Sequence, residues 1–222
     1  MIYMLLLFYI QYSKKGWTML KLISMSLISL FFIYNSFRVI EFINSKDNTK
    51  IIDKRANRAI ISILFSLFIG FLYIKYGLSI IFIKYFLLMV YLTVTGYIDH
   101  YSKNVYTFIS FAFLAIGVVF MGADLYYGAS LTTYVIIISS ILVMCLNIAI
   151  LGFMGWGDAE VFIITALYIG SFISLINIFV AFSLAGIVAS YRLITRKVKT
   201  GDRGALCPYI AVSTSILLFI SQ

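Results

Sequence analysis

Two aspartates stand where strongly apolar stretches give way to short polar ones. Asp99 follows the run that ends Thr95-Gly96-Tyr97-Ile98, and Asp158 lies in Met154-Gly155-Trp156-Gly157-Asp158-Ala159-Glu160. Ionisable side chains are expensive to keep at the edge of an apolar environment, so a pair of them is a functional hypothesis in itself. Two carboxylates within a few ångströms cannot both ionise cheaply, and they titrate as a pair. The singly protonated pair has one group that can take a proton from water and one that can polarise a carbonyl, the chemistry of peptide hydrolysis.

Gly155 and Gly157 flank Trp156 just ahead of Asp158. Glycine admits close approaches that a side chain blocks, so an extended substrate is expected against this turn, with Trp156 and Glu160 in support. The plainer reading makes the glycines the end of a loop and Asp158 an early helix residue favoured by the helix dipole. A second aspartate two apolar runs earlier weighs against stopping there.

These residues need elements to hold them. The 222-residue chain is 63% hydrophobic and 11% charged, with one proline, which no water-soluble domain of this size resembles. Repeated apolar runs of about 17 to 25 residues read as membrane spans, and backbone in hydrocarbon must satisfy its own hydrogen bonds. The fold class is therefore all-α, a polytopic membrane protein of about eight transmembrane helices. Spans are expected at 18–34, 59–74, 78–98, 106–122, 130–150, 160–172, 174–191 and 205–220, with a basic loop at 35–58, all in one membrane-embedded domain over 1–222. Residues 1–12 are apolar but short, an upstream stretch that makes Met19 an alternative start.

The net charge of +9 does not point to nucleic acid, because the basic residues fall between spans instead of on one soluble face. With the 35–58 loop in the cytoplasm, 99–105 and 192–204 follow it there, and twelve of the seventeen Lys and Arg are then inside. That orientation sets Asp99 and Asp158 at the same, cytoplasmic, face. Lys14, Lys15 and Lys21 run against it, near the outer end of the first span. Lys84, inside a span, is expected to snorkel outward, and Lys103 to contact lipid. His100 and Asp124 read as solvated loop residues. Cys145 and Cys207 read as small apolar packing residues, since no second pair at metal-ligand spacing accompanies them. No cofactor and no metal are expected.

The segment Met154 to Val161, followed by Ile163-Ile164-Thr165-Ala166-Leu167, resembles the Gly-x-Gly-Asp motif of the type IV prepilin peptidases, membrane aspartic proteases of bacteria. Asp99-His100-Tyr101-Ser102-Lys103-Asn104-Val105-Tyr106 has the layout of that family's first aspartate segment. Ser29 to Arg38 resembles its first span and exit, and Leu206-Cys207-Pro208-Tyr209 the proline-containing start of its last span. The resemblance implies catalytic Asp99 and Asp158 in a bacterial plasma-membrane protein. It further implies removal of a basic leader from prepilin or pseudopilin precursors at the cytoplasmic face, in support of pilus assembly, competence or secretion.

Three departures stand out. Tyr106 replaces the usual proline, Glu160 the usual lysine, and the 35–58 loop lacks the paired cysteines of the zinc-binding region found in many members. Glu160 adds a third carboxylate near the pair, and the N-methyltransferase activity of those members is not expected. Two other readings are open: a presenilin-like intramembrane protease, against which Ile98 separates Tyr97 from Asp99, and a small transporter, which would favour carboxylates near mid-span.

Overall fold

The computed structural model describes residues 19–38, 40–41, 55–195 and 204–221. The 1–12 stretch, most of the basic 35–58 loop and the basic residues 196–203 lie outside them. The described chain forms eight helices: α1 (Met19–Arg38), α2 (Arg55–Tyr76), α3 (Ile80–Ser102), α4 (Thr107–Tyr126), α5 (Leu131–Ile150), α6 (Trp156–Ile169), α7 (Ile173–Ile194) and α8 (Cys207–Ile220). No strand occurs among the described residues. The eight apolar stretches of the sequence thus become eight helices, because a helix alone satisfies its backbone within one segment.

Six of them, α1 to α5 and α7, are long and apolar enough to cross a membrane. The other two, α6 and α8, have 14 residues each. At 1.5 Å per residue that is roughly 21 Å, short of a hydrocarbon core about 30 Å thick.

Two compact units divide the chain within α3. The first holds α1, α2 and the start of α3 through Phe86. Here Phe32, Phe65 and Phe82 pack their rings 6.4, 6.2 and 6.1 Å from that of Phe86. Ser66 donates to the carbonyl of Ser26 at 2.7 Å, and buried Arg58 pairs with Glu41 at 2.8 Å. Lys84 is only 5% exposed, so the expected outward snorkel does not occur and the side chain is buried.

The second unit begins at Leu87 and contains the rest of α3 with α4 to α8. Its centre is α6, which packs against α4, α5, α7 and α8. Nine of its residues, Ala159, Val161, Phe162 and Ile164 through Ile169, are buried, so most of this short helix is enclosed by its neighbours. Tyr168 of α6 donates to the carbonyl of Phe113 on α4 at 3.1 Å. Helices α7 and α8 share a buried polar contact in which Asn177 donates to Thr214 at 3.0 Å and accepts from Ser213. Asp124 is not a loop residue: it lies in the last turn of α4, half-buried, and accepts the hydroxyl of Tyr134 on α5.

Candidate active site

Helix α3 does not stop at the expected 98 but runs on to Ser102, which puts Asp99 inside its last turn, 5% exposed. A carboxylate there faces the negative end of the helix dipole, so local stability does not account for it. Lys103, at φ 54°, ends the helix in the left-handed region usually left to glycine or asparagine, its N–H bonded to the carbonyl of Asp99 at 2.9 Å. That turn lets the chain reverse within residues 103–106 and enter α4.

Asp158 is reached from the other direction. Helix α6 starts at Trp156, four residues before the expected span, with Gly155 as its N-cap. Asp158 is then in the first turn, and its Oδ2 accepts the N–H of Gly155 at 3.2 Å. The plain helix-start reading of this residue is correct as far as it goes, since a carboxylate here complements the dipole. It accounts for one oxygen only.

The other oxygen meets α8. The Cys207 thiol donates to Asp158 Oδ1 at 3.3 Å, and the Cys207 backbone N–H donates to Asp99 Oδ2 at 3.0 Å. Helix starts leave N–H groups without partners, and Pro208 has none to offer, so the N–H of Cys207 is available to Asp99, with that of Leu206 beside it. Cys207 is fully buried. The packing role expected of it from sequence is therefore too small: it touches both aspartates. Only the orphan donor ahead of Pro208 hints at this in the sequence, and nothing there says which acceptor it meets.

One carboxylate oxygen of each aspartate and the Cys207 sulfur lie within 4.8 Å of one another. Two hydrogen bonds of about 2.8 Å span up to roughly 5.6 Å, so one water can bridge the two carboxyls. The same three groups form a set of potential metal ligands. As donors they are mismatched, one soft sulfur with two hard oxygens, and Cys207 already bonds both carboxylates through hydrogen.

Asp158 belongs to α6, which is not one of the six helices long enough to cross a membrane. Burial pushes its carboxyl up to about 6; the Cys207 thiol opposes this, the charge of Asp99 adds to it, and the Gly155 N–H opposes it again. A proton is thus held above the ordinary carboxylate range.

The other expected site residues divide. A Cβ on Gly157 would lie 2.9 Å from Val105 Cβ, so the α3–α4 turn packs directly on this glycine. Gly155 has φ −81° and open space beside it, its nearest atom being Asp158 Oδ2 at 3.5 Å. Trp156 is 68% exposed, and Glu160 is half-buried. Residues two apart on a helix do not face each other, which turns Glu160 away from the side of α6 that bears Asp158. His100 is exposed, its ring edge-on to Tyr101 at 5.0 Å.

Residues 86–190 match the model of the type IV leader peptidase family. That segment is a little under half of the chain, and over it the chain is similar to this family. The matched residues include both aspartates and the Gly155–Asp158 turn, and they begin at the boundary of the second unit, Leu87. Comparison with curated proteins and with solved structures finds no match. The match supports a leader-peptidase-like protease, and several helices are able to cross a membrane.

Proposed function

We propose that this protein is a leader peptidase family member and an aspartic endopeptidase whose dyad is Asp99 and Asp158. It removes the basic leader from type IV prepilin or pseudopilin precursors at the cytoplasmic face of a bacterial plasma membrane. The observation that carries the reading is the convergence of two carboxylates from α3 and α6 within 4.8 Å, inside the family-matched segment. One carboxylate takes a proton from the bridging water, whose oxygen attacks the scissile carbonyl carbon. The protonated partner gives its proton to the carbonyl oxygen; on collapse the first carboxyl passes the water's proton to the leaving nitrogen, the C–N bond breaks, and a hydroxyl of the intermediate returns its proton to the partner, leaving the leader's new carboxyl and the amine of the mature chain.

A site at one end of the second unit suits a substrate whose leader is hydrophilic and whose following helix lies in the bilayer. The Lys and Arg residues that the sequence places between spans support a cytoplasmic orientation. The test is co-expression with a pilin precursor and determination of the mature N-terminus by mass spectrometry. Asp99→Asn and Asp158→Asn should each leave an inserted, folded protein that does not cleave. Full processing by the double variant would remove the dyad from the mechanism.

A further inference from the structure

We infer that Cys207 is a positioning residue that holds Asp99 and Asp158 in register from a third helix, an inference that rests on the proposed dyad mechanism. Its two donors go to different carboxylates, the backbone N–H to Asp99 at 3.0 Å and the thiol to Asp158 at 3.3 Å. The aspartates come from α3 and α6, with no hydrogen bond found between their carboxyls, so the first residue of α8 is their common reference.

That reference is itself fixed. A Cβ on Gly96 would lie 3.2 Å from Pro208 Cα and 3.4 Å from the carbonyl oxygen of Cys207, which means the start of α8 lies directly on the α3 backbone one turn from Asp99. Cys207 is fully buried, so water cannot replace its thiol as donor without opening the site. The two oxygens of Asp158 each have one donor, Gly155 N–H on Oδ2 and the thiol on Oδ1. A carboxylate oxygen has a second lone pair, and those remain for the hydrolytic water. Because the thiol keeps its hydrogen as donor, it is not a nucleophile here. Its contribution is geometric: an in-line attack loses on the order of a hundredfold when a reacting group shifts by about 1 Å.

The experiment measures cleavage of a pilin precursor, with a basic leader and an apolar helix, in detergent by the full-length protein and its Cys207→Ala and Cys207→Ser variants. Ser keeps a donor at the same branch; Ala keeps only the backbone N–H. For Ala, kcat should fall roughly ten- to hundredfold with KM unchanged, and Ser should restore it to within about threefold of the parent. Parental kcat in the Ala variant, or a folded Ser variant as impaired as Ala, overturns the inference while leaving the dyad intact. Should the parent protein cleave nothing, the peptidase reading fails instead. The thiol contact is then still tested by infrared spectroscopy of a Cys145→Ser protein, whose remaining thiol is Cys207. Its S–H stretch should move to higher frequency on Asp158→Ala, and an unmoved band overturns the contact.

Discussion

Gly96 on α3 and Pro208 on α8 meet backbone to backbone, with 3.2 Å separating an added glycine Cβ from Pro208 Cα. This contact lies one helical turn from Asp99 and one residue from Cys207, so the spacing of α3 from α8 and the hydrogen bond between Cys207 and Asp99 are parts of one arrangement. Backbone cannot rotate out of the way as a flexible side chain can. The absence of a Cβ at position 96 therefore sets how near the two helices come.

Gly96→Ala should push α8 outward. We expect a loss of about 1–3 kcal/mol in stability, the usual range for overpacking, and a larger loss of cleavage than the destabilisation alone explains. Thermal melting in detergent beside a cleavage assay at a temperature where both proteins are folded separates the two. An alanine variant with parental melting and activity would mean that α8 has room to move.

The two glycines of the Gly-x-Gly-Asp segment should respond differently. Gly157→Ala sets a Cβ 2.9 Å from Val105 Cβ, whereas Gly155→Ala meets nothing nearer than 3.5 Å and needs no left-handed backbone. The first should destabilise the α3–α4 turn and the second should melt like the parent. Val105→Ala in the Gly157→Ala background should recover part of the loss, as residues in contact couple. Equal melting of the two single variants would contradict the packing.

The sequence made the eight apolar helices and the aspartate pair legible because both depend on composition and charge, which are local. Helix ends were less so. A run to Ser102 follows from left-handed Lys103, a conformation that glycine or asparagine would announce and lysine does not. The early start at Trp156 follows from Gly155 serving as cap without a side chain. The roles of Cys207 and Val105 are not legible because their partners are distant in the chain: a thiol beside an aspartate 49 residues earlier, and a valine on a glycine in the first turn of α6. Lys84 is buried where an outward reach is expected, because burial of a charge inside a span depends on neighbours that the local sequence does not name.

The Asn177 contact makes a stability prediction that leaves the dyad alone. Asn177, Ser213 and Thr214 are all buried between α7 and α8, and Asn177 bonds both hydroxyl residues. Asn177→Leu would strand the Thr214 hydroxyl, though Ser213 also donates to the carbonyl of Ile210 at 3.0 Å. A cost of about 1–3 kcal/mol is expected, with kcat unchanged at temperatures where the variant is folded. Unfolding in denaturant with a parallel cleavage assay measures both, and a variant as stable as the parent would show that this contact contributes nothing.

Cleavage should have an alkaline limb. The competent pair holds one proton between two carboxyls, so activity falls as pH rises and that proton leaves, because no carboxyl is left to polarise the scissile carbonyl. Burial first, with the charge of Asp99 adding, pushes Asp158 up to about 6, which moves the limb upward from the ordinary carboxylate value near 4. The values belong to the pair, and a single-site titration checks the cause. In Asp99→Asn the neighbouring charge is gone, so the Asp158 midpoint followed by carboxyl carbon NMR should fall below that of the parent. Loss of the thiol donor in Cys207→Ala acts with the opposite sign, since that donor favours the charged form, and there the midpoint should rise. A limb near pH 4, or midpoints that ignore both substitutions, would mean that the two aspartates do not share a proton through this contact.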